Sequence, residues 1–311
     1  MKRTLLIALA WIATIASPAI ASTFEIHLEA CCEEILVYQG LGITLRARNV
    51  SDVALLDSNR RFHAGTNGKM EKPPVFDGSY FPQLIIRRPD GSVIRTSRIS
   101  SAQPEGLREG GHPRLEPGEQ RSWELLVGVA LDASPEPEII FSQPGRYEIT
   151  ALFHTTDGVD ESNTITVTVV NPTGEADTEA LDAIQRMPLE GLQTMYVPWH
   201  EMTLYDLPAQ YAAVFRTVLA EQPDSVYAAY AELALLQHRN SVLTREYISL
   251  TPEGRRRSSH AVFDELSQIR ERSAAMRSLQ RVPELSQPAA RLGDHVDDTI
   301  RSLQGLAKSD G

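Results

Sequence analysis

The sequence has 311 residues, and its 41 acidic side chains outnumber its 30 basic ones, which gives a formal charge of −11 at pH 7. This balance argues against a nucleic-acid-binding protein, because phosphate backbones are bound mainly through Lys and Arg. The length allows one large domain or two of ordinary size.

Residues 1–21 have the pattern of a secretory signal peptide. Met1-Lys2-Arg3 is a charged start, an apolar run follows from Leu5 to Ala16, and Ala19-Ile20-Ala21 is an Ala-x-Ala cleavage signal. The apolar run is shorter than the roughly 20 residues that span a bilayer. We therefore predict a periplasmic or secreted bacterial protein that does not insert into the membrane after cleavage. Loss of Lys2 and Arg3 changes the formal charge from −11 to −13.

Cys31 and Cys32 are the only cysteines of the chain. Adjacent Cα atoms lie about 3.8 Å apart, below the ~4.4 Å at which relaxed disulfides begin. Three states remain open: two buried thiols, a strained vicinal disulfide, or an intermolecular bridge. Leu28-Glu29-Ala30-Cys31 is similar to a lipoprotein cleavage box, but Glu25 and Glu29 interrupt the apolar run that lipidation needs.

Residues 22–172 alternate between apolar and polar side chains, which predicts strands. The clearest case is Pro144–Val170, a predicted antiparallel hairpin with an apolar inner face and a Thr-rich outer face. Its inner face comprises Tyr147, Ile149, Ala151, Phe153, Ile165, Val167 and Val169. A second hairpin is predicted between Leu84 and Ile94, and Ser101–Gly118 is predicted to be a surface loop. Seven to nine such strands are typical of a β-sandwich.

Two stretches resemble immunoglobulin-like sandwiches of bacterial secreted proteins. One is an alternating strand that ends in Asn49-Val50-Ser51 and is followed by an apolar strand. The other is Pro144-Gly145-Arg146-Tyr147, which resembles the corner that begins a late strand in those folds. The resemblance covers roughly Thr23–Pro172 and implies an antiparallel immunoglobulin-like β-sandwich. It implies no activity, because sandwiches host many.

The apolar period changes to three or four residues near Asn171, which predicts an all-α region over residues 173–311. Leu189–Leu207 is irregular and is expected to form loops or short helices that pack on the sandwich. Thr251-Pro252-Glu253 is a strong helix start, and this helix is predicted to reach Arg281. Pro283 and Pro288 are predicted to interrupt the helical structure before a last helix at Leu292–Leu306.

Within Ala212–Gln237, three segments resemble the junction between tetratricopeptide helices: Val214-Phe215-Arg216, Pro223-Asp224-Ser225 and Tyr227-Ala228-Ala229-Tyr230-Ala231. Stable tetratricopeptide arrays need about three repeats, and the sequence shows a single helix junction of this kind. The resemblance therefore implies a helical hairpin. Together, the patterns predict an α+β multidomain protein with an N-terminal sandwich and a C-terminal helical region.

The sequence carries no strong catalytic motif. Trp199-His200-Glu201 lacks a second His at the offset that zinc proteases use. His27, Cys31, Cys32, Glu33 and Glu34 bring metal-ligand types within eight positions, but strand alternation turns His27 away from the cysteines. We therefore assign no catalytic, cofactor-binding or metal-binding residue.

The basic run Arg255-Arg256-Arg257 is compatible with a solvated helix face or with docking on an acidic surface.

We expect an exported, non-enzymatic protein-interaction module of the bacterial cell envelope, whose partner is another envelope protein. The alternative is a metal-dependent or hydrolytic periplasmic enzyme with a site assembled from loop residues such as His63, His112, His154 and His200. A third hypothesis is an envelope adaptor or inhibitor that binds through loops such as Ser101–Gly118.

Overall fold

The protein is described by a computed structural model, which covers residues 23–52, 55–56, 83–96, 114–130, 138–154, 159–196 and 207–309. Strands occupy its N-terminal part and helices its C-terminal part, so the predicted α+β class is confirmed. Residues 1–21, for which a signal peptide is predicted, lie outside the described residues. None of the helices within the described ranges is both long enough and apolar enough to cross a membrane.

The strands are numbered in chain order. They are β1 (Phe24–Ala30), β2 (Glu34–Leu36), β3 (Leu41–Asn49), β4 (Leu55–Leu56), β5 (Gln83–Arg87), β6 (Val93–Thr96), β7 (Arg114–Leu115), β8 (Gln120–Val127), β9 (Val129–Ala130), β10 (Glu138–Ile139), β11 (Gly145–His154), β12 (Val159–Glu161) and β13 (Ile165–Val170). The first sheet has the order β1-β3-β8. The second sheet has the order β2-β13-β11-β5-β6, with β12 also paired to β11. Within the described residues, β4-β7 and β9-β10 form two further, two-stranded sheets.

Both predicted hairpins are present. β11 pairs antiparallel with β13, so that Tyr147 faces Val167, and β5 pairs with β6, so that Ile86 faces Ile94. The predicted inner face of β11 is buried, because alternate side chains point to the same side of a strand. One edge departs from the antiparallel prediction, since β2 runs parallel to β13.

The prediction that Ser101–Gly118 is a surface loop is wrong for two of its residues. Arg114–Leu115 forms β7, which pairs with β4, while residues 101–113 lie outside the described ranges.

The two sheets share one hydrophobic core. The ring of Phe153 in the second sheet lies 5.5 Å from that of Phe24 and 6.1 Å from that of Trp123, both in the first sheet. Polar side chains also bridge the sheets: Asp160 Oδ2 accepts from the Phe24 N–H at 2.8 Å, and Asn163 Oδ1 accepts from the Leu28 N–H at 2.8 Å. These bonds give partners to the Phe24 and Leu28 N–H groups on the outer edge of β1, which would otherwise be unpaired donors.

The helices are α1 (Glu175–Gln185), α2 (Leu189–Gln193), α3 (Ala209–Glu221), α4 (Val226–Ser249), α5 (Pro252–Met276) and α6 (Ser286–Ser309), with a 3₁₀ turn at Pro283–Leu285. The hydroxyls of Ser225 and Thr251 cap α4 and α5, which confirms the predicted helix start at Thr251. α5 ends at Met276, before the predicted Arg281. Pro288 lies in the first turn of α6, where the missing N–H of proline costs no helix hydrogen bond. The prediction that Pro288 interrupts the helical structure is therefore wrong.

Three tyrosines of the helical region form hydrogen bonds with the backbone between β2 and β3. Tyr227 Oη donates to the Val37 carbonyl at 2.5 Å, and Tyr196 Oη donates to the Tyr38 carbonyl. Tyr230 Oη accepts from the Gly40 N–H at 2.9 Å. Because all three rings are buried, the helical region packs on the sheets as part of a continuous core.

Candidate binding pocket

The residues singled out in the sequence do not form a site together. No group of three His, Cys, Asp or Glu side chains placed to hold a metal ion is found within the described ranges. His27 is exposed on β1. Trp199, His200 and Glu201 lie outside the described residues, as do His63 and His112, and the side chain of His154 is not described either.

The basic run lies on the first two turns of α5. Arg255 donates to the Leu250 carbonyl at the end of α4 at 2.6 Å, and Arg257 pairs with Glu253 on its own helix. Arg256 and Arg257 are exposed. These local contacts are those of a solvated helix face.

A pocket of about 300 Å³ lies between α4 and α6. Its volume is at the lower end of the range typical of ligand-binding pockets, roughly 300–1,000 Å³. Thr194, just after α2, and Leu207, just before α3, complete its wall. The α4 side contributes Ala234, Gln237, His238, Asn240, Ser241, Thr244, Arg245 and Ile248, and the α6 side contributes His295, Asp298, Thr299, Ser302, Leu303 and Leu306.

Helical periodicity explains why these side chains converge. On α4 the lining residues recur every three or four positions from Ala234 to Ile248, so they form one stripe along the helix. On α6 the same spacing joins His295 to Leu306. The two stripes face each other across the pocket.

Asn240 is the buried polar side chain of greatest interest in the pocket wall. It is 1% exposed, and its Oδ1 has no hydrogen-bond partner within the described part of the chain. A buried acceptor without a partner costs about 1–3 kcal/mol. Gln237 and Thr299 are also buried in this wall, beside the buried apolar side chains of Leu207, Ala234 and Leu303.

The apolar part of the pocket rim is formed by Ile248 and Leu306, which are 53% and 38% exposed. The rim also carries three exposed polar residues, Arg245, Asp298 and Ser302. The other large apolar side chains with comparable exposure in the described residues are Val50, Val93 and Val159, which lie in the strand-forming part. Exposed apolar side chains at the mouth of a pocket are typical of an interaction site rather than of ordinary surface.

The titratable side chains of the pocket lining are His238, Arg245, His295 and Asp298. Burial lowers the pKa of His295, against the opposing charge of Asp298, so its imidazole is neutral at neutral pH. His238 accepts a hydrogen bond from the Leu207 N–H through Nδ1 at 3.2 Å, which requires that nitrogen to be unprotonated. Asp298 pairs with Arg301 on the same helix, and Arg245 donates through Nε to the Ser241 carbonyl at 3.4 Å.

A second buried polar cluster lies where the sheets meet the helices. Glu284 is 5% exposed, and its Oε1 accepts from Gln39 Nε2 at 2.9 Å and from Tyr230 Oη at 2.5 Å. Oε2 has no hydrogen-bond partner within the described residues. Burial raises the pKa of Glu284, so the neutral carboxyl is favoured. We call Gln39, Tyr230 and Glu284 the junction cluster.

One feature of the sequence indicates the pocket. Gln237 and Asn240 interrupt the buried face of α4 between Leu236 and Leu243. Polar residues inside an apolar helix stripe indicate either a buried network or a binding surface. The partner stripe on α6 carries no recognisable motif, so the pocket itself requires the tertiary structure.

No protein-family model and no curated protein matches this sequence. Among solved structures, the sporulation control protein Spo0M from Bacillus subtilis is similar over 53% of this chain and 55% of its own, with 8% identity and a TM-score of 0.26. A β-glucosidase from Listeria innocua in complex with laminaribiose is similar over 48% of this chain and 16% of its own, with 13% identity and a TM-score of 0.24.

A β-glucosidase from Erythrobacter marinus is similar over 47% of this chain and 15% of its own, with 22% identity and a TM-score of 0.25. The chain spans about a sixth of the length of these β-glucosidases and about half that of Spo0M. Similarities of this size carry no argument about fold or function.

Proposed function

We propose that this chain is an exported, non-enzymatic interaction module of the bacterial cell envelope. In this proposal, an immunoglobulin-like sandwich supports a helical unit that binds a segment of another envelope protein in the α4–α6 pocket. The single observation that carries it is the buried, unpartnered Asn240 Oδ1 beneath the exposed apolar part of the rim. The signal-like pattern of residues 1–21 supports export.

Two structural features support the finer architecture that we propose. The two sheets share a core and carry the predicted hairpins, as expected for an immunoglobulin-like sandwich. α3 and α4 are consecutive helices separated by Gln222–Ser225, as expected for a tetratricopeptide-like hairpin.

The chemistry of the pocket defines the bound segment. An apolar side chain of the partner fills the space between Ile248 and Leu306, where it removes apolar surface from water. A neutral N–H or O–H group of the same segment donates to Asn240 Oδ1. A charged donor is disfavoured at this position, because Asn240 is 1% exposed and burying an unpaired charge beside it would cost free energy.

The proposal is tested with a phage-displayed library of random peptides panned on the chain that begins at Ser22. We expect enrichment of peptides with one apolar anchor flanked by uncharged residues. Binding of a synthetic peptide from the enriched pool should weaken about tenfold in Ile248→Ser and in Asn240→Leu, because each removes one defined contact. Fluorescence anisotropy measures the affinity.

Val159→Ser is the matched control. Val159 is 53% exposed, as Ile248 is, but lies on β12 of the second sheet. This variant should bind the peptide with unchanged affinity. Enriched peptides that bind Asn240→Leu and Ile248→Ser as tightly as the parent chain, or a library that yields no enriched sequence, would contradict the proposed pocket.

A further inference from the structure

Cys31 and Cys32 lie where the chain passes from the first sheet to the second. The Cys31 N–H donates to the Gly42 carbonyl at 2.9 Å and thereby continues the β1–β3 ladder. Two residues later, the Glu33 carbonyl accepts from the Thr168 N–H at 2.8 Å on β13. Because backbone bonds hold both sides of this crossing, the two thiols are presented in a fixed position.

The two thiols are in contact but differ in exposure. Their Sγ atoms are 3.3 Å apart, within hydrogen-bond distance for sulfur. Cys31 is exposed and Cys32 is half-buried, so of the three states left open by the sequence, a pair of buried thiols does not describe Cys31. The hydrogen bond with Cys32 lowers the pKa of Cys31, and the same contact raises the pKa of Cys32. Cys31, the more exposed residue of the two, is therefore the one whose thiol ionises first.

We propose that this pair is a thiol–disulfide exchange site that accepts a disulfide-bearing substrate, with Cys31 as the attacking thiol and Cys32 as a positioning residue. The Cys31 thiolate attacks one sulfur of the substrate disulfide. A Cys31–substrate disulfide forms, the substrate S–S bond breaks, and the departing thiolate takes up the proton that Cys31 lost. One thiol and one disulfide give one disulfide and one thiol, so no further oxidant is needed.

Cys32 does not complete the exchange by displacing the substrate. A Cys31–Cys32 disulfide would join Cα atoms about 3.8 Å apart, closer than the ~4.4 Å at which relaxed disulfides begin. The mixed disulfide is therefore the stable product, and an external thiol reverses it.

Acidic side chains around the pair determine which substrates react fastest. Glu33 and Glu34 lie within three positions of the cysteines and are exposed, whereas Glu29 is paired with Arg46 at 2.8 Å. The charge of Glu33 and Glu34 raises the local concentration of cationic reagents and lowers that of anionic ones. The site should therefore prefer a cationic disulfide.

The test uses the reduced chain that begins at Ser22, with cystamine as the cationic probe and oxidised glutathione as the anionic probe. Mass spectrometry of tryptic peptides should show one adduct, on Cys31. Relative to a free cysteine peptide, cystamine should react several-fold faster than oxidised glutathione, with a preference that decreases as salt is added.

Variants at Cys32 separate its positioning role from simple packing. Cys32→Ala should slow adduct formation about fivefold, because the thiolate loses its donor. Cys32→Ser retains a hydroxyl donor and should react at close to the parent rate. An adduct on Cys32, formation of a Cys31–Cys32 disulfide without an adduct, or equal rates in the Ala and Ser variants would overturn the proposal.

Discussion

Two of the buried polar side chains of the helical region, Glu284 and Asn240, lie in different surroundings. Glu284 lies between the sheets and the helices, where Gln39 and Tyr230 donate to its Oε1 while its Oε2 has no partner within the described residues. Asn240 lies in the α4–α6 pocket, where its Oδ1 has no partner within the described residues. The two residues are 5% and 1% exposed, so burial alone does not distinguish them.

The space around each residue makes the difference. A Cβ on Gly42 would lie only 3.0 Å from the Cβ of Glu284, so the junction cluster is closely packed. Asn240 instead borders a pocket of about 300 Å³. A polar group in a filled space holds two parts of the same chain together, whereas one beside an open space has an acceptor left for a ligand. The following predictions test this contrast.

The largest effect on stability is expected for Glu284→Ala. The change leaves the buried Gln39 amide and Tyr230 hydroxyl without their acceptor and creates a cavity, so the free energy of unfolding should fall by about 3 kcal/mol. Urea denaturation followed by circular dichroism measures it. Glu284→Gln is the matched control, since its amide oxygen can still accept, and it should lose less than half as much. Equal losses in both variants would show that an acceptor of the same shape does not replace the carboxyl at this position.

A smaller loss is expected for Tyr230→Phe. Its hydroxyl both accepts from the Gly40 N–H and donates to Glu284, so removal should cost about 2 kcal/mol. Tyr227→Phe removes a single bond, to the Val37 carbonyl, and should cost about 1 kcal/mol. Both rings are fully buried, so packing is matched between the two variants. The reverse order of stabilities would contradict the central place of Tyr230 in the junction cluster.

The junction cluster should also make stability depend on pH. Burial raises the pKa of Glu284 above its ordinary value of 4.5, so the native state holds this proton more tightly than the unfolded chain does. The resulting stabilisation is fully present below pH 4.5 and is lost as the pH rises through the folded-state pKa.

Urea denaturation across the acidic and neutral range should therefore show Glu284→Gln gaining stability relative to the parent chain as the pH rises. A difference between the two that stays constant with pH would contradict a raised pKa at Glu284.

The sequence predicted the sheets better than the pocket, for a physical reason. Alternation is a local property, so Tyr147 and Ile149 reveal the inner face of β11 without any knowledge of its partner strand. The pocket depends on two stripes that are brought together by packing of α4 against α6. Glu284 likewise follows Pro283, a helix-breaking signal, and only the fold shows that its carboxyl meets Gln39, far away in the sequence.

The smallest effect on stability, and the sharpest test of the contrast, is expected for Asn240→Leu. Leu has the same branching as Asn, its larger methyl groups can extend into the adjacent pocket, and the change removes an acceptor that has no partner within the described residues, so the free energy of unfolding should stay within about 1 kcal/mol of the parent value or rise. Urea denaturation of the ligand-free chain measures this. The same variant is expected to bind the enriched peptide about tenfold more weakly, because the donor of the peptide then meets a methyl group. A loss near that of Glu284→Ala would mean that Asn240 stabilises the fold, and the reason for regarding its carbonyl as a ligand-binding group would disappear.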